Sequence, residues 1–337
     1  DPGVPYVLEP ENVVIKKYDR KTVAYVFEQI EKDLAEGIPL INDNSYKIPA
    51  YHFNYRAACA FASRFYLVKG DWAKVIQYAN QAFPGKSYPG YLRPWSTTYS
   101  TMTGADMRSV YNKATQKANL LLVETISSWA TAYDTRRYMT RSDTLLRLVS
   151  KASNNLINAD MAYAVSSAGN NASYVNKITR YFKASSPSSN LGNYYMTLTL
   201  LSTEEVLFNQ AEAFAMTNRF SEVLEVLNMF IATRVKNYTA ANALTTERIM
   251  TYFNPGATAP YDPAVQQQAF VRAVLELKRA EFMHEGLRWF DILRKKIPVT
   301  HARQRGAVVD VLGPDDPRRL SQLPPLTALS GLEPNPR

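Results

Sequence analysis

Two stretches of this chain align with each other at identical offsets, and that self-similarity limits what the chain can fold into. Tyr66, Gly70, Trp72 and Ala82 of the first fall against Phe214, Asn218, Phe220 and Phe230 of the second, and Ser63 falls against Ala211. Each stretch reads as two amphipathic helices joined by a short turn. In the first, Phe53, Ala57, Ala60, Phe61, Phe65 and Leu67 recur at helical spacing, and Trp72–Phe83 returns after Gly70-Asp71. In the second, Ser202-Thr203-Glu204-Glu205 reads as a capping box, and Phe220–Val235 returns after Thr217-Asn218-Arg219. Gly70 and Asn218 both tolerate the left-handed backbone that such a turn needs.

Small residues where paired helices touch, with an aromatic residue on each side of the turn, form the tetratricopeptide pattern. The expected fold class is therefore mostly α: divergent tetratricopeptide-like helical hairpins (an α-α superhelix) with a long loop-rich insertion. One domain over 1–337 is expected. Residues 22–83 carry a Thr22-capped helix and the first hairpin, 84–201 the insertion, and 202–236 the second hairpin. A third helical hairpin is expected over 263–296, broken near Gly286, and an irregular Pro-rich tail over 297–337. Within the insertion, Asn119–Ser128 reads as a short strand or helix, and 150–189 as polar loop.

With 337 residues the chain is long enough to bury a core without a disulfide or metal staple. The single Cys59 lies among Ala57, Ala58, Ala60 and Phe61 and reads as a small core residue. No apolar run approaches the length of a membrane-spanning helix. The net charge of +9 permits nucleic-acid binding, but Lys and Arg are scattered along the chain, so no nucleic-acid partner is expected. The unusual feature is aromatic content, with 22 Tyr, 14 Phe and 4 Trp. Tyr and Trp combine an apolar face with a polar handle and suit stacking on polar ligands.

Signals for chemistry are poor. His284-Glu285 begins like a zinc-helix motif, but Arg288 stands where the second His belongs. No paired cysteines, nucleophile elbow, phosphate-binding loop or calcium loop occurs, so no catalytic residue, metal or cofactor is expected. The densest constellation is the run from Glu276 to Arg294, where opposite charges recur at helical spacing, such as Glu276 with Arg279 and Glu285 with Arg288. It reads as a structural network tying a helical hairpin to its neighbours.

That run also resembles the C-terminal signature of the SusD/RagB family, roughly R-x-E-x-x-x-E-G-x-R-x-x-D-[LI]-x-R. Arg279, Glu281, Glu285, Gly286, Arg288, Asp291, Ile292 and Arg294 all fit. Glu205, Phe208, Ala211, Glu212 and Ala213 resemble the family's E-x-x-L-x-x-A-E-A helix, with Phe208 at the usual Leu and Ser202 at the usual preceding Arg. The ending Leu332-Glu333-Pro334-Asn335-Pro336-Arg337 is similar to the family's N-P-[GR] terminus. Family members usually carry a longer N-terminal region with a lipoprotein signal and a lipidated Cys. This chain is expected to be the remaining part of such a protein or a shortened member.

The resemblance implies a non-catalytic lipoprotein on the extracellular face of the outer membrane. Its partner would be a SusC-type TonB-dependent transporter, to which it delivers captured oligosaccharides. Its membrane contact would be an N-terminal lipid anchor that this chain does not contain. A peptide-binding member of the same family is one alternative. A tetratricopeptide-like protein-interaction scaffold is another, and would place its Tyr and Asn residues on inner helix faces. For a nutrient binder the expected ligand contacts lie in the insertion: Trp95 foremost, with Tyr91, Tyr99, Trp129, Tyr133, Tyr194 and Tyr195. Trp72 and Trp289 are expected to pack in hairpins.

Overall fold

The computed structural model describes residues 2–132, 140–167, 171–302 and 309–335. It divides into two compact units. One comprises Asp1–Ile41 with Leu287–Arg337, and the other Asn42–Gly286.

The first unit begins with helix α1 (Val23–Gly37), capped by the Thr22 side chain, which accepts from the Tyr25 N–H. All of the second unit follows in the chain. Helix α2 (Tyr55–Lys69) is capped by Asn54 and stops at Gly70, whose φ of 81° lets its N–H return to the Tyr66 carbonyl. Asp71 then caps helix α3 (Trp72–Ala82). Next come α4 (Gly104–Tyr111), strand β1 (Asn119–Ile126) and α5 (Trp129–Ala132). They are followed by β2 (Thr140–Arg141), α6 (Ser142–Val149), β3 (Val165–Ser167), β4 (Ala172–Val175), β5 (Arg180–Ala184) and β6 (Gly192–Ser202). The unit closes with α7 (Thr203–Met216), α8 (Phe220–Ala232), α9 (Thr246–Phe253) and α10 (Pro263–Glu281).

The two aligned hairpins are α2–α3 and α7–α8, and their turns are built alike. Asn218 has φ 59°, and the Arg219 N–H returns to the Phe214 carbonyl at 2.8 Å, as the Asp71 N–H returns to Tyr66 at 3.0 Å. Helix α7 is the axis of the unit. Every residue from Thr203 to Ala215 is buried, which is the pattern of a helix surrounded on all sides. Two of its amides reach across to neighbours: Asn209 donates to Ser63 on α2 at 3.2 Å, and Gln210 donates to Asn80 on α3 at 2.8 Å. The small residues Ser63 and Ala211 are both fully buried.

One feature of the α7 start differs from expectation. The Ser202 hydroxyl accepts from the Glu205 N–H at 3.3 Å, but the Glu205 carboxylate accepts from Arg64 at 2.5 Å instead of returning to the cap. The cap is therefore one-sided. We expect Ser202→Ala to lower stability by about 1 kcal/mol, read as a shifted urea midpoint by circular dichroism.

The insertion is more ordered than its composition implies. Strands β1, β6 and β5 form an antiparallel sheet in that order, and β2, β4 and β3 form a second. Residues 150–189, expected to be loop, contribute three of those strands. Polar, exposed β-residues leave little apolar alternation to read.

The first unit resumes with α11 (Arg288–Arg294) and the hairpin of β7 (Val299–Ala302) with β8 (Val309–Leu312). Arg319, 6% exposed, donates to the carbonyls of Gly313, Ile292 and Ile297 and pins the tail onto α11. Arg20 donates to the Glu333 carbonyl and the Asn335 side chain, joining the two chain segments of this unit. Trp289, expected in a packed position, is 36% exposed. Pro336 and Arg337 lie outside the described residues. Among the described residues no helix is long and apolar enough to cross a membrane.

Candidate functional site

The signature residues gather charge in the core of the larger unit. Glu281 at the end of α10 accepts from Arg234 Nη2 at 2.9 Å, Arg234 Nε at 3.1 Å and the Tyr163 hydroxyl at 2.6 Å. The same guanidinium donates to Glu204 on α7 at 2.8 Å, and Glu204 also receives Arg93 at 2.7 Å. Arg93, Glu204, Arg234 and Glu281 are all wholly buried. Burial alone would push the Glu281 carboxyl up. The Arg234 guanidinium, with Lys177 and Arg93, overrides this and holds it below the usual range. Lys177 also donates to the Glu281 carbonyl and, at 2.6 Å, to Glu285, which receives the Tyr111 hydroxyl at 3.0 Å.

Helix α10 stops at Glu281, and Gly286, with φ 81°, lies in the turn that follows. Glu276 pairs with Arg147 of α6 at 2.7 Å, and Arg279 is half-buried on α10. In the other unit Arg288 is half-buried, and Asp291 pairs with Arg294 at 2.8 Å. The His284 imidazole, burdened by burial and by the nearby Lys177 charge, is held down to about 4 and is neutral at physiological pH. Among the described residues no group of three or more His, Cys, Asp or Glu side chains is placed to hold a metal ion.

The aromatic residues singled out from the sequence separate into two sets. Trp95, the foremost candidate, is fully buried, with Tyr163 at 4.9 Å and Tyr99 at 5.3 Å edge-on to its ring and Tyr111 tilted at 5.9 Å. It therefore presents no ring face to a ligand and serves as the anchor of its loop. Tyr99 is 2% exposed and donates to Gln116 at 2.6 Å, and burial pushes its hydroxyl up to about 12. Neither residue is placed to stack on a sugar. Trp129 is half-buried against Ala130, Ile178 and Met196, and its indole N–H donates to the His284 carbonyl at 3.2 Å. Tyr91 borders a cleft of about 470 Å³ lined also by Asp43, Arg56 and Lys117, but Arg56 covers its ring at 4.3 Å. Tyr133 lies outside the described residues.

Tyr194 and Tyr195 sit on β6 in an open setting. Antiparallel register places Tyr195 opposite Tyr181 and Tyr194 opposite Phe182 on β5. Side chains alternate between faces along a strand, so each face carries one aromatic pair. On one face Tyr181 and Tyr195 lie nearly parallel, with centroids 6.4 Å apart and planes 24° apart. On the other, Phe182 meets Tyr194 edge-on at 5.4 Å. Tyr181, Phe182 and Tyr194 are 39%, 45% and 50% exposed, which leaves much of these rings uncovered.

The Tyr181 face opens onto a cleft of about 280 Å³, lined also by Tyr51, Arg108, Asn112, Lys113 and Thr197. The Tyr181 hydroxyl lies 3.5 Å from Thr197 Oγ1. Glu124 on β1 accepts from Lys183 at 3.0 Å, and Lys183 Nζ stands 5.1 Å over the Tyr195 ring. A shallow wall of aromatic rings edged by hydroxyls, amides and cations is the arrangement that binds polar, weakly hydrophobic rings. Sequence reasoning missed Tyr51, Tyr181 and Phe182. The signal that could have found two of them is the hairpin itself, with aromatic residues on both sides of the Ser185–Ser189 turn.

Comparison with known proteins agrees with this architecture. A family model described as "SusD family" matches residues 93–322, and one described as "Starch-binding associating with outer membrane" matches 2–67. The fold is similar to a SusD superfamily protein from Bacteroides thetaiotaomicron (17% identity, TM-score 0.57, covering 100% of this chain and 71% of that one). It is also similar to a SusD superfamily protein from Bacteroides fragilis (17%, 0.62, 98% and 68%). A SusD-like carbohydrate binding protein from Bacteroides vulgatus is a third (16%, 0.61, 97% and 69%). No curated protein matches the chain in sequence. With the family model spanning well over half of its length, the chain belongs to the SusD family.

Proposed function

We propose that this chain captures extracellular oligosaccharides without chemistry of its own, at the outer membrane, and passes them to a SusC-type TonB-dependent transporter. The observation that carries this reading is the exposed Tyr181 ring, which lines a polar cleft and lies nearly parallel to the half-buried Tyr195 beside it. Sugars present a small apolar face ringed by hydroxyls. Stacking on Tyr181 and Tyr195, with Thr197 and Asn112 at the edge for hydroxyls, matches both parts. The family's association with the outer membrane supports the location, and the similarity to a carbohydrate binding protein supports the ligand class. The transporter partner and the lipid anchor are carried by family likeness.

Calorimetric titration of a panel of neutral and charged oligosaccharides tests the reading. We expect saturable binding that Tyr181→Ala weakens by about tenfold or more, a loss of roughly 1.4 kcal/mol. Binding that is unchanged in Tyr181→Ala and in Tyr195→Ala removes this face from the site. A second reading has its own support. Strand β5 is an edge strand, exposed at all five positions, and edges of this kind pair with extended peptides. Short peptides belong in the same titrations. Saturable peptide binding without any sugar binding would move the function to that reading.

A further inference from the structure

We infer that the 280 Å³ cleft takes an acidic oligosaccharide, one that carries carboxylate or sulfate groups along its chain. This rests on the capture reading and adds the charge class of the ligand. The cleft lining contains two cations, Arg108 and Lys113, and among the described residues no carboxylate lines it. The larger 470 Å³ cleft, by contrast, sets Asp43 beside Arg56 and Lys117.

Arg108 is held ready for a ligand. It is half-buried on α4, and its Nη1 donates to Asn176 Oδ1 at 2.7 Å. Asn176 is 2% exposed and is itself fixed by donating to the Ala164 carbonyl at 3.0 Å and to Ser166 Oγ at 2.8 Å. One nitrogen of the guanidinium is thus tethered to a neutral amide. Its other N–H groups have no carboxylate partner among the described residues. A planar fork fixed at one corner matches a carboxylate or sulfate better than a hydroxyl. Lys113, exposed just past the end of α4, adds a second positive charge to the same lining.

On the hairpin itself Lys183 is neutralised by Glu124, which also lies against the Tyr181 hydroxyl, and Arg180 donates to Thr131 at 3.0 Å and covers Tyr194 at 4.4 Å. Within the cleft lining the charge comes from Arg108 and Lys113 alone. Ring stacking and an anion-binding fork side by side fit a sugar ring that bears an acid.

The test compares each acidic oligomer with its own neutral form. Galacturonic acid oligomers are titrated beside their methyl esters, and sulfated galactose oligomers beside desulfated ones, in low and in high salt. We expect one acidic form to bind about tenfold or more tightly than its neutral counterpart at low salt, with the gap closing as salt rises. The carboxylate and sulfate arms identify which acid the fork accepts. Arg108→Gln combined with Lys113→Gln should remove the preference, so that within the folded variant the acidic and neutral forms bind alike. Equal binding of acidic and neutral forms overturns the acidic assignment and leaves sugar capture standing. A preference that survives in the double variant overturns its placement in this cleft. Absence of binding by every oligomer, charged or neutral, overturns the capture reading along with it.

Discussion

Trp95→Ala should destabilise the chain by about 3–5 kcal/mol, among the largest losses a single substitution produces here. The indole is fully buried with three tyrosine rings within 5.9 Å. Truncation removes its transfer free energy and leaves a void that large, fixed neighbours do not refill. Tyr111 and Tyr163 are each held by a hydrogen bond, to Glu285 and Glu281, so neither is free to swing into the gap. Urea denaturation followed by circular dichroism gives the loss directly. In the remaining folded fraction, at low temperature, oligosaccharide affinity should match the wild type. Unchanged stability together with lost binding would reverse this assignment and return Trp95 to the ligand surface.

Arg234→Met should cost a similar amount, about 3–5 kcal/mol, for a different reason. The substitution keeps volume in the core but removes the guanidinium shared by Glu204 and Glu281, both wholly buried; Glu204 keeps Arg93, while Glu281 loses the guanidinium that pairs with it. The pH dependence separates this mechanism from a packing loss. Glu281 is held below the usual carboxylate range in the folded chain, so through mid-acid pH the unfolded chain binds more protons. The stability contributed by this pair is fully present above the ordinary glutamate value near ~4.3 and is lost as pH falls through the folded value. Removing Arg234 lets Glu281 take up a proton at higher pH, because burial then acts without its main opposition. The urea midpoint of the wild type should fall on acidification, and that of Arg234→Met should fall less or rise. Parallel pH profiles would show that the Glu281 carboxylate is not the source of the loss.

The helical part of the fold is legible because its signals are local. Ser202, Asn54, Asp71 and Thr22 cap helices through bonds to residues three positions ahead. Gly70 and Asn218 turn the chain through their own backbone freedom. Trp95 is the opposite case. It lies in a Pro-bounded, non-periodic stretch, and its burial is made by Tyr111 and Tyr163, which reach it from α4 and from the segment before β3. Nothing within a few residues of Trp95 reports those partners. The β5–β6 hairpin was hidden by its composition. Its turn is a run of serines, and β5 reads Arg-Tyr-Phe-Lys-Ala without an apolar face. Tyr194 and Tyr195 were visible as aromatic residues, but the strand register that sets them beside Tyr181 and Phe182 depends on pairing across the turn. The signature run from Arg279 to Arg294 was readable as a charge network, whereas its partners Lys177 and Arg234 come from distant segments.

The exposure of β5 at every one of its five positions has a consequence for how such a protein changes over time. No residue there fills a cavity, so replacing any of them leaves the buried helices and their charge network untouched. The face proposed here to meet the ligand can be rewritten, ring for ring and charge for charge, at little cost to folding. The scaffold can therefore remain constant while the exposed strand changes.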